Sequence, residues 1–475
     1  MSSTVIMDAI VTKIKAVLSE EEEVLASEVT PERAEEVNRL LKKAVSAGWT
    51  EGLRTWLATA ETGAETIEVD GVKYRYKLDS EKEFLTPGGM LKLRRRLYQP
   101  DAGGKVHVPL DAAWGMEDQF ATVEVRDAAL YAVALGTAEE AQTLLAKCSL
   151  FDPSATAMKR MAAQMGQWLE AHEDEALTEI RAQEPLPEET RVVCASLDGV
   201  NVLLSEPGKK KGRPNERPHE GASPASRWPT CYKNATVGCV SLYGQVPEGN
   251  TSPQRLQSRY AARMPEDRAP TLKAKFETEL AQTESRLSAE VDRIVLCDGA
   301  RGLWTYLDQN PQYDHYQKLV DYHHTTEHLS KAAEAIFGKG SQKAQSWYDK
   351  YCSKLKDEEG GAARVLHSLD YYERSAKLSN SRRAALDTER TFFSRNVQRM
   401  EYARFRRQGW PIGSGPVEAA CKSLVKTRLC RSGMRWSRCG GQHILSLRTY
   451  VKSNRWNALW DQYKRIERDL SPCIT

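Results

Sequence analysis

The pattern of apolar and polar positions changes its period several times along the chain. Apolar residues recur at helical spacing from the start, and Thr30-Pro31 is typical of a helix start with the threonine as N-cap. The period then shortens to two on both sides of Asp70-Gly71, which predicts a β-hairpin. We therefore predict a helical region over residues 1–58, followed by a small β-rich region over residues 59–117.

Helical spacing returns over residues 118–186. Thr137 and Glu140 have the spacing of a capping box, and the last helix of this region carries four apolar residues on one side: Met158, Met161, Met165 and Leu169. The short link 148–152 between two helices fits a DNA-binding helix-turn-helix, and it also fits a plain helical hairpin. The stretch Glu173–Glu189 is acidic and contains proline, which predicts a linker.

From residue 191 onward, strand-like apolar runs alternate with helical segments, which is typical of an α/β architecture. Three of these runs end directly before an aspartate, namely Asp198, Asp298 and Asp321. After Asp198-Gly199, a further strand-like run starts at Val200. Further along, residues 231–245 predict a strand, residues 251–288 a charged helix, and residues 341–405 helices without strands.

Charge is unevenly distributed, although the net charge is only +3. Residues 1–190 contain 21 basic and 34 acidic residues, a balance of −13, whereas residues 191–475 contain 47 basic and 31 acidic residues, a balance of +16. From Arg404 to Trp460 there are twelve Lys or Arg residues and one acid, Glu418. This asymmetry favours a polyanionic partner for the C-terminal part, the alternative being an ordinary charged surface.

Cysteine usage and hydropathy exclude several classes of protein. The ten cysteines contain no Cys-x-x-Cys pair, so neither a zinc ribbon nor a disulfide framework is predicted. The chain has no apolar run of membrane-spanning length and no signal peptide, which predicts an intracellular protein without a membrane partner. A length of 475 residues predicts about three domains.

Asp198 and Asp298 occupy the same local position, after an apolar run and before a glycine. Polar groups at the carboxyl ends of strands line the functional edge of an α/β sheet. If the two strands are neighbours, the carboxylates converge, and Mg²⁺ would offset their mutual repulsion. For either aspartate alone, the turn chemistry of an Asp-Gly pair is an alternative explanation.

Glu418 follows the segment Gly413-Ser-Gly-Pro416, which places it in the first turn of a helix. Lys422 and Lys426 would share its helix face, and a metal-binding acid bordered by cations suits a phosphodiester substrate. The alternative is an ordinary helix N-terminus in which Lys422 is only an i,i+4 partner. Asp321 is the rival third ligand, since it too follows a strand. The basic run continues with Arg428, Arg431, Arg435 and Arg438.

Other basic and aromatic residues are candidate DNA contacts. The loop residues Lys209, Lys210, Lys211 and Arg213 have the composition of a minor-groove hook, which a solvated basic loop explains as well. Trp436 would either stack on an unpaired base or pack in a core. His323, His324 and His328 have no Cys or acid at ligand spacing, so no zinc site is predicted.

Four motifs follow one another along the chain: Ser196-Leu-Asp198-Gly-Val, Leu296-Cys-Asp298-Gly-Ala, Asp321-Tyr-His-His324, and Gly413-Ser-Gly-Pro-Val-Glu418-Ala-Ala-Cys-Lys. Together they resemble the motifs of bacterial insertion-sequence DDE transposases of the ISKra type, relatives of the Mutator-like group. The resemblance covers most of residues 60–460. It implies an α/β catalytic core of RNase H-like fold with a helical insertion, in which Asp198, Asp298 and Glu418 are the acidic triad.

The same resemblance implies a supporting role for Asp321 and His324, in protein structure or in handling the DNA end. One departure concerns the N-terminal region, where relatives often carry a Cys-rich, zinc-ribbon-like segment. Residues Gln99–Val108 contain no cysteine, so no zinc is expected there. The expected organisation is a core whose first part is 187–340 and whose last part is 406–475, with the helical insertion at 341–405.

The expected function is a DNA transposase that binds transposon-end inverted repeats and performs Mg²⁺-dependent strand cleavage and strand transfer. The triad would hold two metal ions about 4 Å apart, with Mn²⁺ able to substitute, and no covalent enzyme–DNA intermediate is needed. Expected partners are the double-stranded DNA of transposon ends and target, and a second copy of the chain, with residues 1–58 as the assembly region. The expected location is the bacterial cytoplasm, in association with the nucleoid. A catalytically silent, domesticated DNA-binding protein and a metal-dependent nuclease without strand transfer are the alternatives.

Overall fold

In the computed structural model, which describes residues 3–205, 232–375 and 377–469, the chain divides into two units and begins with helices. The first unit contains the described residues up to Ile180 and from Arg455 onward. Its first helices are α1 (Ser3–Ser19), α2 (Glu22–Leu25) and α3 (Pro31–Leu57). The Thr30 hydroxyl accepts from the Arg33 amide at 3.3 Å, which confirms the predicted N-cap of α3.

A three-stranded antiparallel sheet follows, formed by β1 (Thr66–Val69), β2 (Val72–Thr86) and β3 (Gly89–Pro100). Asp70 and Gly71 both have positive φ, at 49° and 77°, and form the two-residue turn of the predicted hairpin. The inner face of this sheet packs Phe84 and Leu91, both fully buried, into a local core with the short helix α4 (Pro109–Ala113).

The first unit is completed by α5 (Val123–Leu135), α6 (Ala138–Cys148), α7 (Ala155–Gln183) and α18 (Trp456–Asp469). Thr137 and Glu140 form the predicted capping box, and the four predicted apolar residues of α7 are all buried. The predicted linker Glu173–Glu189 was wrong for residues 173–183, because α7 continues to Gln183, whereas residues 184–189 do connect α7 to β4. Residues 173–183 contain neither Gly nor Pro, and buried Ala176 and Ile180 extend the apolar stripe.

The second unit, Arg181–Asn454, is built on a five-stranded mixed sheet. The strands are β4 (Val192–Leu203), β5 (Tyr232–Tyr243), β6 (Arg255–Arg263), β7 (Asp292–Cys297) and β8 (Gln317–Val320). Their order is β6-β5-β4-β7-β8, in which β6, β5 and β4 are antiparallel while β4, β7 and β8 are parallel. The molecule is therefore a mixed α/β protein, as the strand–helix alternation predicted.

Helices accompany and follow this sheet. They are α8 (Pro270–Glu284), α9 (Arg301–Gln309), α10 (Tyr322–Phe337), α11 (Gln342–Asp357), α12 (Gly361–Ser375), α13 (Asn380–Asn396), α14 (Tyr402–Arg407), α15 (Gly415–Ala420), α16 (Thr427–Leu429) and α17 (Arg438–Lys452). The prediction of helices without strands over residues 341–405 is confirmed for the part of that range that the structure describes. No helix among the described residues is long and apolar enough to cross a membrane.

The predicted charged helix over residues 251–288 was half wrong. Residues 255–263 form strand β6, which pairs with β5 along its length, and only residues from Pro270 onward are helical. β6 is an edge strand, so Arg255 and Arg263 can point toward solvent while the backbone pairs on one side. Because this segment is highly charged, its own sequence did not indicate a strand, and the strand forms by pairing with β5.

Candidate acidic site

Asp198 lies within a strand, not at its end. β4 continues to Leu203 because it pairs with β5 along its whole length, and Asp198 is paired with Val237. The expectation that the strand ends before Asp198 was therefore wrong, and so was the alternative of an Asp-Gly turn at this position. β7, in contrast, ends at Cys297, so Asp298 follows its strand as predicted.

The two aspartates come from neighbouring parallel strands. Ala195 of β4 is paired with Val295 of β7, and each aspartate follows three residues further along its own segment. Both side chains are half-buried. Because β7 ends just before Asp298, its carboxylate lies at the carboxyl edge of the parallel part of the sheet, where polar groups are accessible to a ligand.

The loop after Asp298 is held in place by its own carboxylate and by the helical segment 380–396. An oxygen of Asp298 accepts from the Ala300 amide at 3.0 Å, and the Trp304 indole donates to the Asp298 carbonyl at 2.7 Å. Gly299 lies so close to Phe392 of α13 that a Cβ there would be only 2.2 Å from the ring. A glycine is therefore required for the helix and the aspartate loop to approach each other.

Glu418 is in the first turn of α15, as predicted. Its Oε1 accepts from the Ser414 hydroxyl at 2.9 Å, and its side chain is exposed. Helix α15 packs against β4 and β5, which brings this acid to the strand that carries Asp198. Among the described residues, the hydrogen bond of Glu418 goes to Ser414, and no ion pair joins it to Lys422.

The three carboxylates are close enough for their charges to interact. Burial raises the pKa of Asp198 above its usual range, and the negative charges of Asp298 and Glu418 raise it further. The Gly199 amide, which donates to Asp198 at 2.6 Å, and the Cys421 thiol oppose this increase. Asp198 therefore lies near two further acids, Asp298 and Glu418. Carboxylate oxygens are the ligands that a hard divalent cation prefers.

Asp321, the rival third ligand, uses both of its carboxylate oxygens inside the protein. It is buried and is the N-cap of α10, where Oδ1 accepts from the His324 amide at 2.7 Å. Its other oxygen accepts from the Ser414 amide, one turn before Glu418. Gly413 permits this approach, since a Cβ there would be 3.2 Å from the His323 ring. The geometry makes Asp321 a connector between α10 and the loop at residues 408–414. This loop leads into the helix that carries Glu418 and is called the Glu418 loop below.

His324 is the first member of a chain of polar contacts that ends on α13. Its Nε2 is 3.3 Å from Nε2 of His328, whose Nδ1 is 2.5 Å from the Glu389 carboxylate. The His328 ring stacks on Phe392 with centroids 3.6 Å apart. This network joins α10 to the helical segment that also contacts Gly299, and local sequence spacing did not predict it.

The predicted DNA ligands after Glu418 divide into two groups. Lys422, Lys426, Arg431, Arg435 and Arg438 are exposed. Arg428, in contrast, is buried, with its guanidinium over the Trp436 ring at 5.1 Å from the centroid. The Trp436 indole donates to the Leu429 carbonyl at 2.9 Å. Lys209, Lys210, Lys211 and Arg213 lie outside the described residues.

A π-helical segment, Cys421–Lys426, follows α15 directly and was not predicted. π-helical turns lack the regular i→i−4 ladder and are frequent at functional sites. The buried Arg448 of α17 donates to the Ser423 and Leu424 carbonyls, the latter at 2.7 Å, and to the Thr427 hydroxyl at 3.1 Å. This one guanidinium therefore holds the helical segment that follows Glu418 and carries Lys422 and Lys426.

Comparisons with known proteins gave weak likenesses. No family model matches the chain, and no curated protein matches it. Among solved structures, it is similar to a Drosophila P element transposase strand transfer complex, with 11% identity, a TM-score of 0.33, and coverage of 73% of this chain and 95% of that chain. It is also similar to NurA bound to dAMP and manganese, with 15% identity, a TM-score of 0.10 and 64% of each chain covered. TM-scores this low carry no conclusion about the fold or activity of this chain.

Proposed function

We propose that this protein is a DDE-type DNA transposase of the ISKra type, with Asp198, Asp298 and Glu418 as its acidic triad. The observation that carries the proposal is the convergence of these three acids from separate segments of the second unit. Each stands in the motif on which the family resemblance rests. Lone acids on neighbouring strands occur for other reasons, but a third acid from a basic segment more than a hundred residues away has no structural need to join them.

The strand arrangement supports an RNase H-like core. Three antiparallel strands followed by two parallel ones, in the order β6-β5-β4-β7-β8, form a sheet whose first strand in sequence, β4, is central. The first acid lies on this central strand and the second follows its parallel neighbour. Helices α11 to α14, between β8 and α15, match the helical insertion that the resemblance implies between the second and third acids.

The three acids offer oxygen ligands of the kind a hard divalent metal prefers, and Mg²⁺ is the proposed ion, with Mn²⁺ able to substitute. Asp198, Asp298 and Glu418 would hold it, because they offer only oxygen ligands and the repulsion between them is relieved by positive charge. When bound, the metal supplies activation of a hydroxyl nucleophile and stabilisation of the leaving oxygen in phosphodiester cleavage and strand transfer. Asp321 and His324 would have the supporting role of positioning the Glu418 loop and α10.

Exposed cations after Glu418 would bind the DNA backbone next to the acids. Lys422, Lys426, Arg431, Arg435 and Arg438 are proposed as phosphate contacts, whereas Arg428 and Trp436 would support this surface by packing on each other. Lys209, Lys210, Lys211 and Arg213 keep their proposed role in DNA binding on the basis of sequence alone. The proposed partners are double-stranded transposon-end and target DNA.

The deciding experiment uses labelled duplexes that carry the flanking inverted repeats, with Mg²⁺ or Mn²⁺. Wild type should nick the repeat tip and join it to target DNA, whereas Glu418→Gln should lose at least 10³-fold of cleavage, about 4 kcal/mol of transition-state stabilisation, and still bind the DNA. Asp314→Asn, which removes an exposed carboxylate of the same unit, is the matched control and should cut normally.

Each other outcome has a definite meaning. Cleavage by Glu418→Gln at the wild-type rate would remove this residue from the mechanism. Nicking without joining would favour a metal-dependent nuclease. Binding without cutting by both proteins, under conditions in which the paired ends are assembled, would favour a catalytically silent DNA-binding protein.

A further inference from the structure

An open groove of about 830 Å³ follows α9 in the second unit, beside the start of α8. Its lining residues are all exposed or half-buried, so a ligand can reach them from solvent. Because a helix rises about 1.5 Å per residue, the stretch from Gly302 to Gln309 is about 10 Å long, which is the rise of about three nucleotides in one DNA strand.

The groove begins close to the candidate acidic site. Helix α9 starts at Arg301, three residues after Asp298, and its Trp304 donates to the Asp298 carbonyl at 2.7 Å. Gly302, at the near end of the groove, lies in the same first turn of α9. A chain molecule that follows α9 would therefore start beside the carboxyl edge of the sheet.

The charge of the groove favours an anionic ligand. Arg268 and Lys273 are its cations, and no acid is among the described residues that line it. Neither cation has a carboxylate partner in the described part of the chain. Glu266 and Glu277, from the same segment, already accept hydrogen bonds within the protein, at 3.0 and 2.7 Å. Two cations without acidic partners suit the phosphates of a nucleic acid.

The wall of the groove is apolar and aromatic. Leu303, Tyr306 and Pro311 line it. The Tyr306 hydroxyl donates to Glu277, so the ring is what remains for contact with a ligand. The Lys273 ammonium lies over this ring, 4.1 Å from its centroid, which shows that one face of the ring is accessible. A nucleic-acid base can stack on such a face only when it is not paired within a duplex.

We propose that this groove binds an unpaired DNA strand, with phosphates on Arg268 and Lys273 and a base on the Tyr306 ring. A cationic groove with an aromatic stacking platform is how single strands are bound without sequence preference. The inference deepens the proposed function and rests on it for the origin of the strand, because strand cleavage frees a DNA end beside the acids. Binding itself needs neither the metal nor the acidic triad.

Fluorescence anisotropy of the full-length protein with a short labelled single strand, without added metal, tests the stacking. Tyr306→Leu should weaken binding about tenfold, whereas Tyr306→Phe keeps the ring and should bind like wild type. The affinity for a duplex of the same sequence should change far less in Tyr306→Leu, because its bases are paired. Tyr371→Leu, at an exposed tyrosine of the same unit, is the matched control and should have no effect.

The salt dependence of the same binding tests the two cations. Each phosphate contact of a single strand contributes about 0.7 to the slope of log affinity against log salt, so Arg268→Met combined with Lys273→Met should reduce this slope by about 1.4. Lys343→Met, an exposed change in the same unit, should leave the slope unchanged.

A cross-linking experiment tests the location. A single strand that carries 5-iodouracil couples to a stacked aromatic ring on irradiation, and Tyr306 should be the labelled residue. The proposal is overturned if wild type does not bind the single strand, if Tyr306→Leu weakens single strand and duplex equally, if the double substitution keeps the wild-type slope, or if only other residues are labelled. Absence of end cleavage with these binding results intact would instead refute the transposase proposal and leave the groove assignment standing.

Discussion

Asp321 and Glu418 are acids at the starts of two neighbouring helices, α10 and α15, but their carboxylate oxygens have different hydrogen-bond partners. Both oxygens of Asp321 accept from backbone amides, those of His324 and Ser414, whereas Glu418 is exposed and accepts from one hydroxyl. A metal ligand needs an oxygen that is not already committed to the backbone. Glu418 meets this requirement, and Asp321 provides the connection that holds the Glu418 loop near α10.

Asp321→Asn tests this assignment. The asparagine amide would point its nitrogen at one of the two backbone amides and leave a buried N–H without an acceptor, so the free energy of unfolding should fall by about 1–3 kcal/mol. Urea denaturation measures this change, with Asp314→Asn as the exposed control. The affinity for Mn²⁺ should change far less than in Asp198→Asn. A variant as stable as wild type with abolished Mn²⁺ binding would make Asp321 a ligand instead.

The raised pKa of Asp198 has a consequence for stability without metal. A carboxyl whose pKa is higher in the folded than in the unfolded protein favours folding at low pH, and this contribution is lost as the pH rises through its folded pKa. The metal-free protein should therefore lose stability as the pH rises above the ordinary range of aspartate. Asp198→Asn should flatten this dependence, measured by urea midpoints from acidic to neutral pH. Equal pH slopes in both proteins would contradict the prediction.

At the scale of elements, the shape of the π-helical segment depends on one buried side chain, that of Arg448. Arg448 supplies donors to carbonyls of Cys421–Lys426 that a regular helix would have used itself. Burial, followed by the charges of Arg428 and Arg431, lowers the pKa of Arg448 to about 10, and the group is still charged at neutral pH. The segment therefore depends on α17 for its shape.

Arg448→Met keeps most of the side-chain volume and removes every donor. The carbonyls of the segment would lose their partners, so unfolding should become easier by about 1–3 kcal/mol. Because Glu418 lies at the start of the same helical stretch, cleavage should fall more than DNA affinity does. Lys452→Met, an exposed change on the same helix, is the control. Parallel losses of cleavage and affinity would indicate a general unfolding of the DNA surface instead.

Local patterns predicted elements well where neighbours in sequence decide the structure. The N-cap at Thr30, the hairpin at Asp70-Gly71 and the first turn with Glu418 all depend on a few adjacent residues. Patterns failed where pairing with another strand decides: β6 is a strand because it pairs with β5, and β4 continues past Asp198 for the same reason. The meeting of three acids depends on strand order, which no single segment encodes.

At the scale of the whole molecule, α3 presents two different faces. Leu40 and Ala44 are buried, whereas Leu41, Val45, Trp49 and Trp56 are 43–53% exposed at spacings that place them on one face. A contiguous apolar stripe of this kind marks an interaction surface. Transposition joins two DNA ends, so we propose that this stripe pairs with a second copy of the chain.

A double substitution, Leu41→Glu with Val45→Glu, tests the pairing. Because both copies in a symmetric dimer carry the substitutions, four side chains that each contribute about 1.5 kcal/mol of burial are lost, which should weaken self-association roughly 10⁴-fold, and new negative charges would repel across the interface. Sedimentation analysis should then show a dimer for wild type and a monomer for the variant at equal concentration.

Leu144→Glu, at another exposed apolar position of the first unit, is the control and should stay dimeric. Because a monomer can still hold a metal at the triad, Mn²⁺ affinity should be unchanged while joining of paired ends is lost. A wild-type protein that is monomeric both free and on paired ends would refute the pairing and assign the stripe to another partner.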